Sequence, residues 1–129
     1  MTLWKWRNYL DPRKRNAIAE WFEQIPDGAR AKIETRMLMM RDLPREDWAS
    51  SWVSPYKSAD GIFELRIEHK NIQYRPLWFF GPKQRQLSLL IGATEVGDKI
   101  HPRSAPKSAE ERRNALLLDP TRTVKHEFT

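Results

Sequence analysis

Apolar residues recur at three- and four-residue spacing through Ala17, Ile18, Trp21, Phe22 and Ile25, the period of a helix with one buried face. Asp11 followed by Pro12 reads as an N-cap with proline at the first helical position, where its missing N–H is not needed. The pattern therefore predicts a helix over about 12–25, interrupted by Pro26, Asp27 and Gly28. A second stripe of Ala29, Ile33, Met37 and Met40, with Arg30, Lys32, Glu34 and Arg36 mostly off it, predicts another helix from Asp27 to just before Pro44. Joined by so short a turn, the two form a helical hairpin whose apolar faces need a broad surface to cover.

After Gly61 the period falls to two. Phe63, Leu65 and Ile67 alternate with Glu64, Arg66 and Glu68, as in a strand with one wet face. His69, Lys70 and Asn71 turn the chain into an aromatic strand, Ile72 to Phe80, and Gln86 to Ala93 reads as a third. Connections this short imply an antiparallel meander, since parallel neighbours need a long crossover. Pro76 lacks an N–H for the ladder and demands an edge or a bulge. The opening Leu3, Trp4, Trp6 and Tyr9 fit either a short strand or the lead into a helix. Residues 45–60 have no clean period and read as an irregular connection pinned by Trp48 and Trp52. Ser108 with Glu111 reads as a capping box for a last helix, stopped at Asp119-Pro120. Residues 119–129 read as a loosely held tail.

The length, 129 residues, predicts a single domain, 1–129. The absence of cysteine excludes disulfides, thiol nucleophiles and cysteine metal sites. No apolar run approaches the ~18 residues of a membrane span, and the N-terminus lacks a signal-peptide core, so a cytoplasmic protein is expected. The formal net charge is +6, from 23 basic and 17 acidic residues. That balance favours an anionic partner such as nucleic acid, a membrane surface or an acidic protein; a merely solvated basic surface is the plainer alternative. Residues 1–60 hold eleven basic and nine acidic side chains and 61–129 hold twelve and eight, so any basic patch must be assembled by folding.

Two arginines stand out for chemistry. Arg66 on the first strand and Arg75 on the next could meet on one side of the sheet as a bidentate phosphate clamp. Alternatively each pairs with Glu64, Glu68 or a neighbour as a cross-strand ion pair. His69, His101 and His126 have neither metal-ligand spacing nor cysteine partners and read as surface histidines, so no metal is expected. His101 is the one kept for proton transfer, because it shares a loop with Lys99 and Arg103. There is no Gly-x-Ser-x-Gly element and no glycine-rich phosphate loop. The tryptophans fit core packing better than base stacking, Trp48 and Trp52 being the least constrained.

The run GIFELRIEHKNIQYRPLWFF, the apolar LSLLIGA and the later SAEERR resemble the RelE/HigB-like toxin superfamily in its phage-derived branch, over about 12–118. The resemblance rests on Glu64-Leu65-Arg66, Tyr74-Arg75 and the apolar third strand. It implies an α+β fold: a helical hairpin packed on a twisted antiparallel sheet of three to four strands, with a short C-terminal helix. It also implies the toxin of a type II toxin–antitoxin system, a metal-independent and cofactor-free endonuclease that cuts messenger RNA on the ribosome. Arg75 and Arg66 would bind phosphate, with Lys99 and His101 standing in for the family's basic residues after the third strand. Lys57, Lys70, Arg103, Arg112 and Arg113 would contact RNA. A cognate antitoxin, often of helix-turn-helix type, is implied as partner. Two departures are visible: the segment 93–99 lacks the usual basic pair, and Glu64 stands where better-studied cutters place lysine. A noncatalytic phage-derived binding module of the same fold and a ParE-like gyrase inhibitor are the alternatives.

Overall fold

The computed structural model describes residues 1–129. Ten strands are present: β1 (Lys5–Tyr9), β2 (Val53–Pro55), β3 (Phe63–Leu65), β4 (Ile67–His69), β5 (Ile72–Tyr74), β6 (Leu77–Phe80), β7 (Gln86–Ile91), β8 (Thr94–Val96), β9 (Lys99–His101) and β10 (Thr123–Lys125). Three helices accompany them, α1 (Ala17–Gln24), α2 (Asp27–Arg41) and α3 (Ala105–Leu118). A six-stranded sheet has the order β10-β1-β7-β6-β3-β2, and a four-stranded one the order β4-β5-β8-β9. Only β1 and β7 run parallel. The α+β fold with a helical hairpin on an antiparallel sheet is the one expected, enlarged by strands at both ends of the chain.

The three anticipated ribbons exist, but the first two are divided between the two sheets, at Arg66 and at Arg75-Pro76, and the third, β7, is followed past Gly92-Ala93 by β8 of the smaller sheet. Pro76 explains the middle break, because it cannot donate to a neighbour. Its carbonyl still accepts from Leu65 N at 3.0 Å, Arg75 N donates to the Ala93 carbonyl at 2.8 Å, and the register slips between Leu77 and Trp78.

Alternation sends the two faces of the larger sheet into separate cores. Trp6, Trp78, Leu87 and Leu89 pack under α1 and α2 with Ile18, Phe22, Ile33 and Met37. Leu77, Phe79 and Leu90 point to the other side and meet Ala105, Ala109 and Leu116 of α3. The central sheet is thus covered on both faces, which accounts for the nearly unbroken apolar run of β7.

Several boundaries differ from the pattern reading. Helix α1 starts at Ala17, not after Asp11, and Asn16 caps it by accepting from Ala19 N at 2.9 Å. Asp11 instead folds a local turn, accepting at 2.8 Å from both Arg13 N and Arg15 N. Its carboxylate finds donors without a helix, which is why an Asp-Pro pair is an ambiguous start. Asn16→Ala should lower stability by about 1 kcal/mol, read by urea unfolding. Helix α3 begins at Ala105, three residues before Ser108, whose N–H donates to the Ser104 carbonyl and so lies inside the helix. The opening segment forms strand β1 from Lys5 to Tyr9, and the stretch before Arg103 holds the β8–β9 hairpin in place of a loop.

The tail is also ordered. β10 pairs antiparallel with β1, and His126, expected on the surface, is buried. Its Nε2 lies 2.7 Å from Glu34 Oε2 and its Nδ1 3.0 Å from the Asn8 side-chain amide. Glu34 Oε1 accepts from Arg30 Nε at 3.1 Å and Thr129 Oγ1 at 2.7 Å.

Candidate active site

Glu64 pairs across the ladder with Leu77, which faces α3, so the wet side of β3 opens on the α3 side of the sheet. There α3 packs on β6 and β7, and Glu64, Arg66 and Glu95 beside it stay open to a groove. The uncovered floor and the loop after β2 form a groove of about 390 Å³, lined by Tyr56, Lys57, Glu64, Arg66, Glu95 and Asp98 among others. The predicted alternation is what places Glu64 and Arg66 together in it.

Glu64 Oε1 accepts from Ser54 Oγ at 3.0 Å and lies 3.8 Å from Arg66 Nε. Oε2 of Glu64 makes no hydrogen bond within the protein. The Arg66 side chain is about half exposed. Arg75 differs: it is only 5% exposed, with Nη1 on the Tyr74 carbonyl at 3.0 Å and Nη2 on Gln73 Oε1 at 2.7 Å. Its Nε faces Glu95 Oε2 at 3.3 Å. The two guanidiniums therefore do not form an open clamp. Each lies beside a carboxylate, and Arg75 supports the floor from below. Counting Asp98, the groove sets three carboxylates against Lys57, Arg66 and the submerged Arg75. It is charge-balanced and carries no excess of positive charge.

Burial, and after it the nearby carboxylates of Glu64 and Glu95, push the Tyr56 phenol up. The phenol consequently keeps its proton at neutral pH.

Lys99 and His101 go elsewhere. In the β8–β9 ladder Glu95 stands opposite Ile100, and both line the groove; Thr94 opposite His101 and Val96 opposite Lys99 occupy the other face. Both basic side chains are exposed, but they point away from Arg66 and Glu64. Lys57 is in the groove. Lys70 sits on the β4–β5 turn, and the antiparallel pairing of β5 with β8 brings that turn to the same end as the Gly97-Asp98 turn beside Lys99. Arg103 is exposed after β9. Arg112 and Arg113, expected to meet RNA, are engaged within the protein. Arg112 Nη1 donates to the Leu90 carbonyl at 2.7 Å and its guanidinium lies over the Tyr9 ring, while Arg113 Nη1 donates to the Asp60 carbonyl. Both tie α3 to its surroundings.

A family profile described as Phage derived protein Gp49-like (DUF891) matches residues 20–113, well over half of the sequence. The chain belongs to this family. Among solved structures, the Gp49-like chain is similar to the E. coli toxin RelE, in a double arginine-to-alanine mutant in the free state. That likeness has a TM-score of 0.50 at 10% identity and covers 90% of this chain and 99% of the other. At that identity it speaks for the fold, which is RelE-like as the Glu-Leu-Arg and Tyr-Arg strands implied. No curated protein matches the chain in sequence. No helix of the Gp49-like chain is long and apolar enough to cross a membrane.

The pattern reading missed Ser54, Tyr56, Glu95 and Asp98 as groove residues. Ser54 and Tyr56 lie in the aperiodic stretch 45–60, where nothing local fixes a direction. Glu95 is reachable only once the third ribbon is known to bend after Ile91 and continue as β8.

Proposed function

We propose that this chain is the toxin of a type II toxin–antitoxin pair and that its groove cleaves RNA by transesterification, without a metal. The reading rests on one observation: Glu64, held by Ser54 through a single oxygen, presents the other to the groove beside the half-exposed Arg66. A carboxylate next to a phosphate-binding cation can serve as general base.

In this scheme Glu64 takes the proton of a ribose 2′-OH, and the 2′ oxygen bonds to the adjacent phosphorus. The bond from phosphorus to the 5′ oxygen breaks, and the Tyr56 phenol gives that oxygen its proton. The products are a 2′,3′-cyclic phosphate and a 5′-hydroxyl, and exchange with water returns both protons. Arg66 and Lys57 hold the non-bridging oxygens as charge builds on them. Arg75 holds Glu95 in place. Lys70, Lys99, His101 and Arg103 contact flanking RNA, and the ribosome supplies the messenger. An antitoxin covering the groove would silence it.

The balanced charge of the groove favours one second reading, a noncatalytic binding module of the same fold. Purified protein added to translating ribosomes decides between them. Messenger fragments ending in 2′,3′-cyclic phosphate are expected; intact messenger, with growth unaffected on induction of the chain alone, overturns the nuclease reading.

A further inference from the structure

We propose that the chain carries a second anion site, remote from the groove: a basic surface at the start of β1 that binds RNA through its phosphates. The net charge of +6 must reside somewhere, and the groove, where acids match bases, does not hold it. Topology gathers five cations at one end of the larger sheet. Arg7 stands opposite Lys125 in the β1–β10 ladder, and Lys5 N donates to the Arg85 carbonyl, which brings in the β6–β7 turn with Lys83. Lys5 and Arg7 are two residues apart on one strand and so share a face, about 6.8 Å apart along it. None of these five cations is paired with a carboxylate within 4.0 Å.

Part of this surface is concave. Lys5, Arg7 and Lys125 line a cleft of about 640 Å³ with Trp4, Phe128 and other residues. Glu127 is the one carboxylate lining the cleft. Arg41 lines it too, but Asp42 neutralises that guanidinium at 2.8 Å. Arg7 spends Nε and Nη2 on Thr123 and keeps Nη1 free for a ligand. A row of unpaired cations with half-buried Trp4 and Phe128 rings at its side suits a polyanion whose bases can lie on aromatic rings, which is the chemistry of single-stranded RNA. An acidic polypeptide would satisfy the cations but has no use for the rings. β7 and β6 separate this surface from β3, so it acts independently of the chemistry proposed for the groove.

The test is fluorescence anisotropy of the full chain with a labelled 20-nucleotide oligouridine across a salt series. The five phosphates engaged on this surface should contribute about −3.5 to the slope of log K against log salt, at roughly −0.7 per contact on single strands. Lys83→Glu with Arg85→Glu, both on an exposed turn, should weaken binding about tenfold or more and flatten the slope by about 1.4. Arg13→Glu with Lys14→Glu changes net charge equally from an exposed loop at the other end of β1 and should cost less than about threefold, because screening confines charge effects to about 10 Å. Circular dichroism confirms that both variants fold. Equal losses in the two variants, or wild-type binding by the turn variant, overturn the proposal. So does tighter binding of polyglutamate than of RNA, which would assign the surface to an acidic protein.

Discussion

His126→Ala will destabilise the protein by about 3–5 kcal/mol, the range for truncating a large buried ring to alanine. The imidazole is 2% exposed and packs between Phe22 and Phe128, with ring centroids 4.9 and 4.8 Å away. Its loss leaves a cavity between these rings and takes the Nε2 contact from Glu34 Oε2, whose carboxylate is itself buried. Because β10 is a short edge strand held against β1, the last residues should detach before the rest unfolds. Urea unfolding gives the magnitude, and hydrogen exchange at the amides of residues 124 and 126, which face β1 in the ladder, locates it. Acid should act in the same direction. Burial holds His126 below its ordinary 6.5, against the opposing pull of Glu34. As pH falls through 6.5 the unfolded chain takes up a proton that the native ring refuses, and stability drops until the native value is reached. Glu34 is held below its ordinary 4.5 by hydrogen bonds from Thr129, His126 and Arg30, which outweigh its burial, so a second loss follows below that pH. The variant should lack the first loss and retain the second. An unchanged slope between pH 7 and 5 would remove His126 from this account.

Such a clamp was invisible in TRTVKHEFT, where polar residues suggest a tail. Its partners, Asn8 and Glu34, lie 118 and 92 residues away. The features that could be read were those whose cause is local. The two-residue alternation of 63–68 needs only a strand and a core beneath it, and it correctly assigned Glu64 and Arg66 to one face. The helical stripe ending at Met40 similarly gave α2 nearly in full. Pro76 announced its own break. What failed depended on register between distant segments. Lys99 and His101 follow the third ribbon closely, yet the β8–β9 pairing turns both to the face opposite Glu95. Arg75 sits in the expected Tyr-Arg pair, but nothing in that dipeptide tells that Gln73 and Glu95 will flank it. Charge at a site is a property of the neighbours that folding supplies, and here Glu95 arrives from another ribbon to cancel it.

That cancellation makes Glu64→Gln the sharpest test of the groove. The amide preserves size and can still receive the Ser54 hydroxyl, so the fold should hold, with a melting temperature close to the wild type's. It cannot accept a proton from a ribose hydroxyl. If Glu64 is the base, cleavage on ribosomes should fall by about 10²–10⁴-fold, the usual contribution of a positioned general base. Messenger binding should not weaken, because removing a carboxylate from beside Arg66 leaves that guanidinium freer for phosphate. The opposite split is expected of Arg66→Ala, which should lose affinity and rate together. The wild-type rate should not fall on the alkaline side until well past neutrality, since Tyr56, the proton donor, keeps its proton there. Cleavage undiminished in Glu64→Gln would show that the carboxylate serves only to neutralise Arg66, and the chemistry would then have to be sought outside the groove.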